Sequence, residues 1–163
     1  MLHGRKHRAS SGSSVAVLAR ALVAVLSVAF SAVVSADDIS VKQDGYEVFY
    51  STFNSSFLSP KVAAASGVVR AKNRGLINVA IRQQLPDGGS RAVKAKQISG
   101  TVFDLIHKKS FDFIEIVEPG AVYYLAPFKI SNDNEALQID ISILPEGGKK
   151  PIAVGFQKRF YLN

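Results

Sequence analysis

Hydrophobic and polar residues alternate along most of the chain from residue 37 onward, and turn residues interrupt this alternation every ten residues or so. The clearest example is 137–143, where Leu137, Ile139 and Ile141 are each followed by a polar residue. A period of two places successive side chains on opposite faces of an extended strand. The pattern therefore predicts half-buried antiparallel strands, with one face toward a core and one toward water.

Seven strands are predicted in this way. They are 46–53, 76–85, 91–105, 111–118, 121–130, 137–143 and 152–162. Glycine at position 100 predicts a bend at Ser99 and Gly100 within the third strand. The apolar density of 111–118 predicts a deep strand that is covered on both faces. Pro127 cannot donate a hydrogen bond, so its strand is predicted to lie at an edge or to be bulged there.

A single short helix is predicted between the first two strands. Ser59 can cap its N-terminus, Pro60 suits the first helical position, and Gly67 can end it in the left-handed conformation. Such a helix spans barely two turns and needs tertiary contacts to be stable. We expect it to pack across the sandwich.

The fold class that fits this order is all-β. Seven short strands in the part of the chain after residue 36 predict an antiparallel, immunoglobulin-like β-sandwich with one short helix. The alternative is a small, lipocalin-like β-barrel, which is disfavoured because eight regular hairpins are not found. The total of 163 residues corresponds to one domain of ordinary size.

The first 36 residues have the composition of a secretory signal. Arg5, Lys6, Arg8 and Arg20 form a basic front, and 21–36 is uncharged and ends in small residues. We predict cleavage between Ala36 and Asp37, which leaves 37–163 as a single domain in the periplasm or outside the cell. The alternative is an inner-membrane anchor, although a bilayer-spanning helix needs about 20 apolar residues.

Removal of this segment changes the charge of the protein. The whole chain has a net charge of +7, but four basic and no acidic residues lie in 1–36, so 37–163 carries about +3. A strongly basic chain favours nucleic acid as a partner, and this weaker charge argues against it. Cysteine is absent, which excludes disulfides, thiolate metal ligands and a cysteine nucleophile.

Few residues suggest chemistry. His107 is the only histidine after residue 36, and it precedes Lys108 and Lys109 as solvated turn residues do. A Gly-x-Ser-x-Gly nucleophile elbow and a calcium-binding loop are both missing from the sequence. We therefore assign no catalytic, cofactor-binding or metal-binding residue, and expect no cofactor.

The best candidate for recognition is a short run of alternating cations. Arg70, Lys72 and Arg74 would project from one face of an extended chain and could hold a carboxylate or phosphate group of a partner. The alternatives are a solvated loop without a ligand, or an Arg74 side chain that folds back to donate hydrogen bonds to carbonyl oxygens.

Several segments resemble a known bacterial family. They are 53–60 (FNSSFLSP) with Val62 and Ala63, 72–79 (KNRGLINV), 123–126 (YYLA), 144–147 (LPEG) and the terminal Phe160 and Tyr161. These segments are similar to the family known as DUF4426, and the resemblance runs from about residue 46 to the C-terminus. It implies an exported β-sandwich protein of uncharacterised function, and it brings no catalytic or metal-binding residues with it.

These observations together predict an exported, non-enzymatic domain that binds a protein or another component of the bacterial envelope. Binding would use loops at one end of the sandwich or an exposed sheet edge. We expect no nucleic acid partner and no stable membrane insertion after cleavage. The alternatives are a small-ligand carrier or unrecognised hydrolase with a pocket between the sheets, and a membrane-tethered accessory factor if 21–36 is retained.

Overall fold

The computed structural model describes residues 39–162, which form ten strands, one short 3-10 helix and one α-helix. The strands are β1 (Ile39–Gln43), β2 (Tyr46–Asn54), β3 (Arg74–Gln84), β4 (Ser90–Ala92), β5 (Ala95–Phe103), β6 (Lys108–Ser110), β7 (Ile114–Glu118), β8 (Ala121–Lys129), β9 (Glu135–Pro145) and β10 (Ile152–Phe160). The 3-10 helix is Ser55–Phe57 and the α-helix, α1, is Pro60–Ser66. The proposed signal segment and its cleavage site at Ala36 and Asp37 lie outside the described residues. No helix within the described residues has the length and hydrophobicity needed to cross a membrane.

The strands form two antiparallel sheets. The first has the order β1-β2-β3-β8-β7, with β4 also paired to β3, and the second has the order β10-β9-β5-β6. An immunoglobulin sandwich places strands A, B, E and D in one sheet and C, F and G in the other. Here β2, β3, β8 and β7 occupy the A, B, E and D positions, and β5, β9 and β10 occupy C, F and G. The sandwich prediction is confirmed, and the barrel alternative is wrong because the described strands form two separate sheets.

The main core lies between the two sheets. In β9 the inward residues Leu137, Ile139 and Ile143 are almost completely buried, and Ile77 and Val79 of β3 are buried in the same cluster. The alternation predicted for both strands is therefore confirmed. Burial of such side chains contributes about 1.5 to 3 kcal/mol each before the entropic cost of folding is counted.

A second, smaller cluster covers the outer face of the first sheet. Leu76 and Leu125 are buried there beneath Val68, which belongs to the connection between β2 and β3. The helix in that connection has the predicted ends, since the Ser59 hydroxyl accepts a hydrogen bond from the Val62 amide and Gly67 has φ of 67°. The connection therefore packs on the outside of one sheet, and the expectation that it crosses the sandwich is wrong.

Two strands differ from the sequence prediction near the edges of the sheets. Strand β1 was not predicted; it forms a tight hairpin with β2 through Asp44 and Gly45, whose φ angles of 51° and 79° match a two-residue turn of the kind favoured by Asp-Gly. Strand β7 is an edge strand whose residues are half-buried or exposed, so the prediction of a deep strand at 111–118 is wrong.

The predicted long strand 91–105 is in fact two strands in different sheets. The chain leaves the first sheet after β4 and enters the second at Ala95, so the break lies at 93–94 and the bend predicted at Ser99 and Gly100 is wrong. Gly100 pairs regularly with Ile141, and its missing side chain instead permits close approach of β5 to β9.

Pro127 lies in the part of β8 that is paired with a neighbouring strand on one side only. It pairs with Leu76 of β3 on one side of β8. On the other side, β7 begins to pair with β8 only at Leu125, so residues beyond that point have no neighbouring strand there. The prediction that proline marks an edge is confirmed in this local sense.

Candidate functional site

Most residues outside the strands lie at one end of the sandwich. Strand β3 begins at Arg74 opposite Lys129, the last residue of β8. In the second sheet, Phe103 at the end of β5 pairs with Gln138 near the start of β9. The segments 55–74, 104–109, 129–135 and 159–162 therefore lie at this end, which we call the basic end.

The basic end has an excess of positive charge. Its basic residues are Lys61, Arg70, Lys72, Arg74, Lys108, Lys109, Lys129 and Arg159. Its three acidic residues already accept hydrogen bonds from backbone amides, Asp104 from Ile106 and His107, Asp133 from Leu162, and Glu135 from Ser131. The basic end therefore presents a positive potential to an approaching partner.

A cleft of about 180 Å³ opens at the basic end where the two sheets meet. Three cationic residues from different strands, Arg74, Lys109 and Lys129, line it together with one carboxylate, Asp104. The apolar part of the lining includes Phe128 and Leu137. Lys109 lies opposite Val102, a buried residue, which places the lysine on the inner face of the second sheet.

The three cations of the cleft repel one another. Like charges directly opposite each other on neighbouring strands, as Arg74 and Lys129 are, destabilise a sheet. Among residues 39–162, ion pairs form between Lys42 and Glu47 and between Lys94 and Glu115, so none involves the three cleft cations. A bound anion would relieve this repulsion and accept charge-assisted hydrogen bonds.

The loop between β5 and β6 displays two aliphatic side chains beside the cleft. Leu105 is 75% exposed and Ile106 is 80% exposed. Leu105 has φ of 75°, a conformation that is a strained outlier for a bulky residue. Such strain persists where the surrounding structure enforces it, and it is found preferentially at functional sites.

Hydrogen bonds to the Asp104 side chain stabilise the conformation of this loop. Its Oδ1 accepts hydrogen bonds from the amides of His107 at 2.6 Å and Ile106 at 3.1 Å, and its own amide donates to the His107 carbonyl at 3.3 Å. The bond from the His107 amide is the main reason that the pKa of Asp104 is lowered, because it favours the ionised carboxylate. The loop is therefore preformed, with both aliphatic side chains held in solvent.

Exposed apolar side chains concentrate at the basic end. Among the described residues, eight large hydrophobic side chains are exposed, and seven of them belong to the basic end: Phe57, Val62, Val69, Leu105, Ile106, Tyr161 and Leu162. The eighth, Val117, lies near the opposite end of the first sheet. Clustered exposed apolar residues mark interaction surfaces more often than scattered ones do.

The structure separates the three cations that the sequence analysis placed together. Arg70 donates to the Ser56 carbonyl at 2.9 Å. Lys72 lies in a turn that interrupts the expected extended chain. Arg74 lines the cleft, and its neighbours there are Lys109 and Lys129. Sequence reasoning missed these two lysines as site residues, since only the pairing of distant strands brings them to Arg74.

His107 lies in the exposed β5–β6 loop, as predicted, with its Nδ1 3.5 Å from Asp104 Oδ2. Within residues 39–162, no group of three or more histidine, cysteine, aspartate or glutamate side chains is arranged to hold a metal ion.

A polar network on the far side of the molecule joins the two sheets. The Tyr124 hydroxyl of β8 donates to Glu115 Oε2 at 2.8 Å and accepts from the Ala95 amide of β5 at 2.7 Å. Lys94 completes the network with a 2.6 Å ion pair to Glu115. Burial raises the pKa of Tyr124 to about 12, and the hydrogen bond from Lys94 lowers the pKa of Glu115. All polar groups of this network are satisfied, which indicates a structural role.

Comparison with known proteins identifies the family and the fold of the chain. The sequence model described as "Domain of unknown function (DUF4426)" matches residues 40–163. A crystal structure of a DUF4426 family protein from Pseudomonas aeruginosa PAO1 is 32% identical, covers 77% of this chain and 95% of its own, and superposes with a TM-score of 0.65. FetP of uropathogenic Escherichia coli strain F11, recombinantly expressed in the periplasm, shares the fold at 16% identity, with a TM-score of 0.53 and coverage of 76% and 93%. A search of curated proteins found no match. The chain belongs to the DUF4426 family.

Proposed function

We propose that the protein is an exported, non-enzymatic sandwich domain whose basic end binds a component of the bacterial envelope. The observation that carries this proposal is that, within the described residues, seven of the eight exposed large hydrophobic side chains lie at the basic end, which also holds a cleft lined by three cations. Exposed apolar groups cost free energy unless a partner covers them, and loops on a rigid scaffold are the usual place for binding residues.

A location in the periplasm is the second part of the proposal. The basic front, the uncharged segment 21–36 and the small residues before Asp37 support export. FetP, which has a similar fold, was expressed in the periplasm.

The interior favours binding at the surface over carriage of a small ligand in the core. Buried side chains from both sheets form one continuous cluster between them. The cleft, at about 180 Å³, is smaller than the roughly 300 to 1,000 Å³ typical of sites that enclose a whole small molecule, while hollows of about 310 to 510 Å³ open elsewhere on the described surface. It has room for one charged group of a larger partner.

A hydrolase is a second candidate because of one specific observation. Asp104 and His107 are close together, and Ser110 and Ser131 line the same cleft. A nucleophilic serine requires a hydrogen bond to the histidine, and neither serine hydroxyl makes one within the described residues. This candidate is tested by a screen for ester hydrolysis; turnover that His107→Ala abolishes would support the hydrolase and contradict the non-enzymatic proposal.

Binding through the basic end can be tested with single cysteines, since the natural chain has none. Ile106→Cys places a thiol at the basic end, and the matched control Val117→Cys places one at an exposed site on β7. Maleimide labelling is measured with and without envelope fractions. We expect the fractions to slow labelling at position 106 severalfold and to leave position 117 unchanged. Equal labelling rates at both positions in every fraction would contradict the proposal.

A further inference from the structure

The exposed pair Leu105 and Ile106 forms a convex tip. The hydrogen bonds to Asp104 close the loop on itself, and the side chains project from its end at 75% and 80% exposure. A surface that binds another protein through apolar contacts is usually a broad patch with a polar rim. A narrow, rigid aliphatic tip instead suits insertion into a soft apolar medium.

Basic residues surround this tip. Lys108 and Lys109 follow it after His107, and Arg74 and Lys129 line the neighbouring cleft. The segments of the basic end carry eight Lys or Arg residues and three Asp or Glu residues, so an excess of positive charge remains at this surface. Aliphatic residues set among lysines and arginines are the composition of surfaces that bind anionic membranes.

We infer that the envelope component bound by the basic end is an anionic phospholipid surface. Leu105 and Ile106 enter the boundary between headgroups and acyl chains, while Arg74, Lys109 and Lys129 hold a lipid phosphate in the cleft. The volume of about 180 Å³ suits one phosphate group, and each cation can donate hydrogen bonds to its oxygens. This inference rests on the proposed function and names its partner. The attachment is peripheral, because only the tip of one loop penetrates.

The test uses the chain 37–163. The P. aeruginosa relative supports its independence, since the matched region makes up 95% of that crystallised chain. Binding is measured by co-sedimentation with vesicles of phosphatidylglycerol and phosphatidylethanolamine, and with neutral phosphatidylcholine vesicles. We expect binding to the anionic vesicles that weakens with salt, and little binding to the neutral ones.

Two pairs of variants locate the contact. Arg74→Ser with Lys109→Ser removes two charges from the cleft, and Lys149→Ser with Lys150→Ser removes the same charge from the opposite end. We expect the first pair to weaken binding by about tenfold or more, since each cation near an anionic surface contributes about fivefold, and the second by less than about threefold. Ile106→Ser is expected to weaken binding about fivefold, and its control Val117→Ser to have no effect.

Inorganic phosphate separates the two possible sources of the anion. Its binding is followed by the amide NMR signals of residues lining the cleft. If phosphate binds and anionic vesicles do not, the lipid inference is overturned while an anion-binding site stands. Equal loss of vesicle binding in both charge pairs, or equal binding to anionic and neutral vesicles, would also overturn it. Failure of the cysteine protection experiment with all envelope fractions would remove the proposed function itself.

Discussion

Replacement of Gly100 by alanine would place a Cβ atom against the backbone of the neighbouring strand. The added atom would lie 2.7 Å from the Asp140 carbonyl oxygen and 3.3 Å from the Ile141 Cα. Ordinary contact begins at 3.4 Å, so β5 and β9 would have to separate by about 0.7 Å at this point. Hydrogen bonds of typical length near 2.9 Å would then exceed their useful range.

Gly155→Ala provides the matched control on the opposite side of the same residue. Its added Cβ would lie 3.1 Å from Asp140 Oδ1, the end of an exposed side chain that can rotate away. Neither glycine has a positive φ, so both substitutions gain the same benefit of about 0.4 to 1 kcal/mol from a less flexible unfolded chain. The Cβ added at Gly100 would also lie 3.0 Å from Cδ2 of the buried Phe111 side chain. The difference between the two variants therefore reports the contact with the β9 backbone together with this core contact.

Overpacking of this kind costs about 1 to 3 kcal/mol, and each weakened hydrogen bond adds about 1 kcal/mol. We expect Gly100→Ala to lose about 2 to 3 kcal/mol of unfolding free energy and Gly155→Ala to change it by less than about 1 kcal/mol. For a urea m-value near 2 kcal/mol/M, the midpoint would fall by roughly 1 to 1.5 M in the first variant. Midpoints that agree within error would refute the close approach of β5 to β9.

Three further predictions concern hydrogen-bonded groups. Tyr124→Phe leaves the Ala95 amide without its acceptor, so we expect a loss of about 1 to 3 kcal/mol in urea unfolding. Burial raises the pKa of Tyr124 from 10.0 to about 12, so its protonated hydroxyl contributes fully to the free energy of unfolding below pH 10. The unfolding free energy of the wild-type protein should therefore fall as the pH rises from 10 to 12, and this decline should be smaller in Tyr124→Phe. The Ser55 hydroxyl is fully buried and accepts a hydrogen bond from the Ala71 amide at 3.0 Å, so Ser55→Ala should cost about 1 to 3 kcal/mol, measured in the same way. The lowered pKa of Asp104 means that the hydrogen bonds to its carboxylate are fully formed above pH 3.8 and are lost as the pH falls through the lowered value. Amide-exchange protection at Ile106 and His107 should drop there, and Asp104→Ala, which has no side-chain acceptor, should lack this protection at neutral pH.

Much of the fold could be read from local chemistry. The alternation in β9 follows from a strand with one buried face, and the ends of α1 follow from a hydroxyl cap at Ser59 and a left-handed glycine at Gly67. The turn at Pro119 and Gly120 also follows from local chemistry, since glycine readily adopts the φ of 77° found at Gly120. Each of these features depends on residues that are close neighbours in the sequence.

The errors arose where burial depends on distant segments. Ile114 and Ile116 of β7 pack in the outer cluster together with Val68 and Leu58, which come from the connection after β2. These contacts explain why β7 has apolar residues although it is an edge strand. Their density in the sequence therefore indicated an interior strand, whereas β7 lies at the edge of its sheet. The split between β4 and β5 was equally hidden, since both are extended and only their partners differ.

The sequence alone determined that the chain is a sandwich of antiparallel strands and that cations occur near Arg74. Only the tertiary structure decided which cations share a cleft, because Lys109 and Lys129 reach Arg74 through strand pairing in one sheet and the packing of the other sheet against it. It also decided that the exposed apolar residues share one end. Local patterns record which face of a strand meets water, whereas a binding surface depends on which strand ends are brought together.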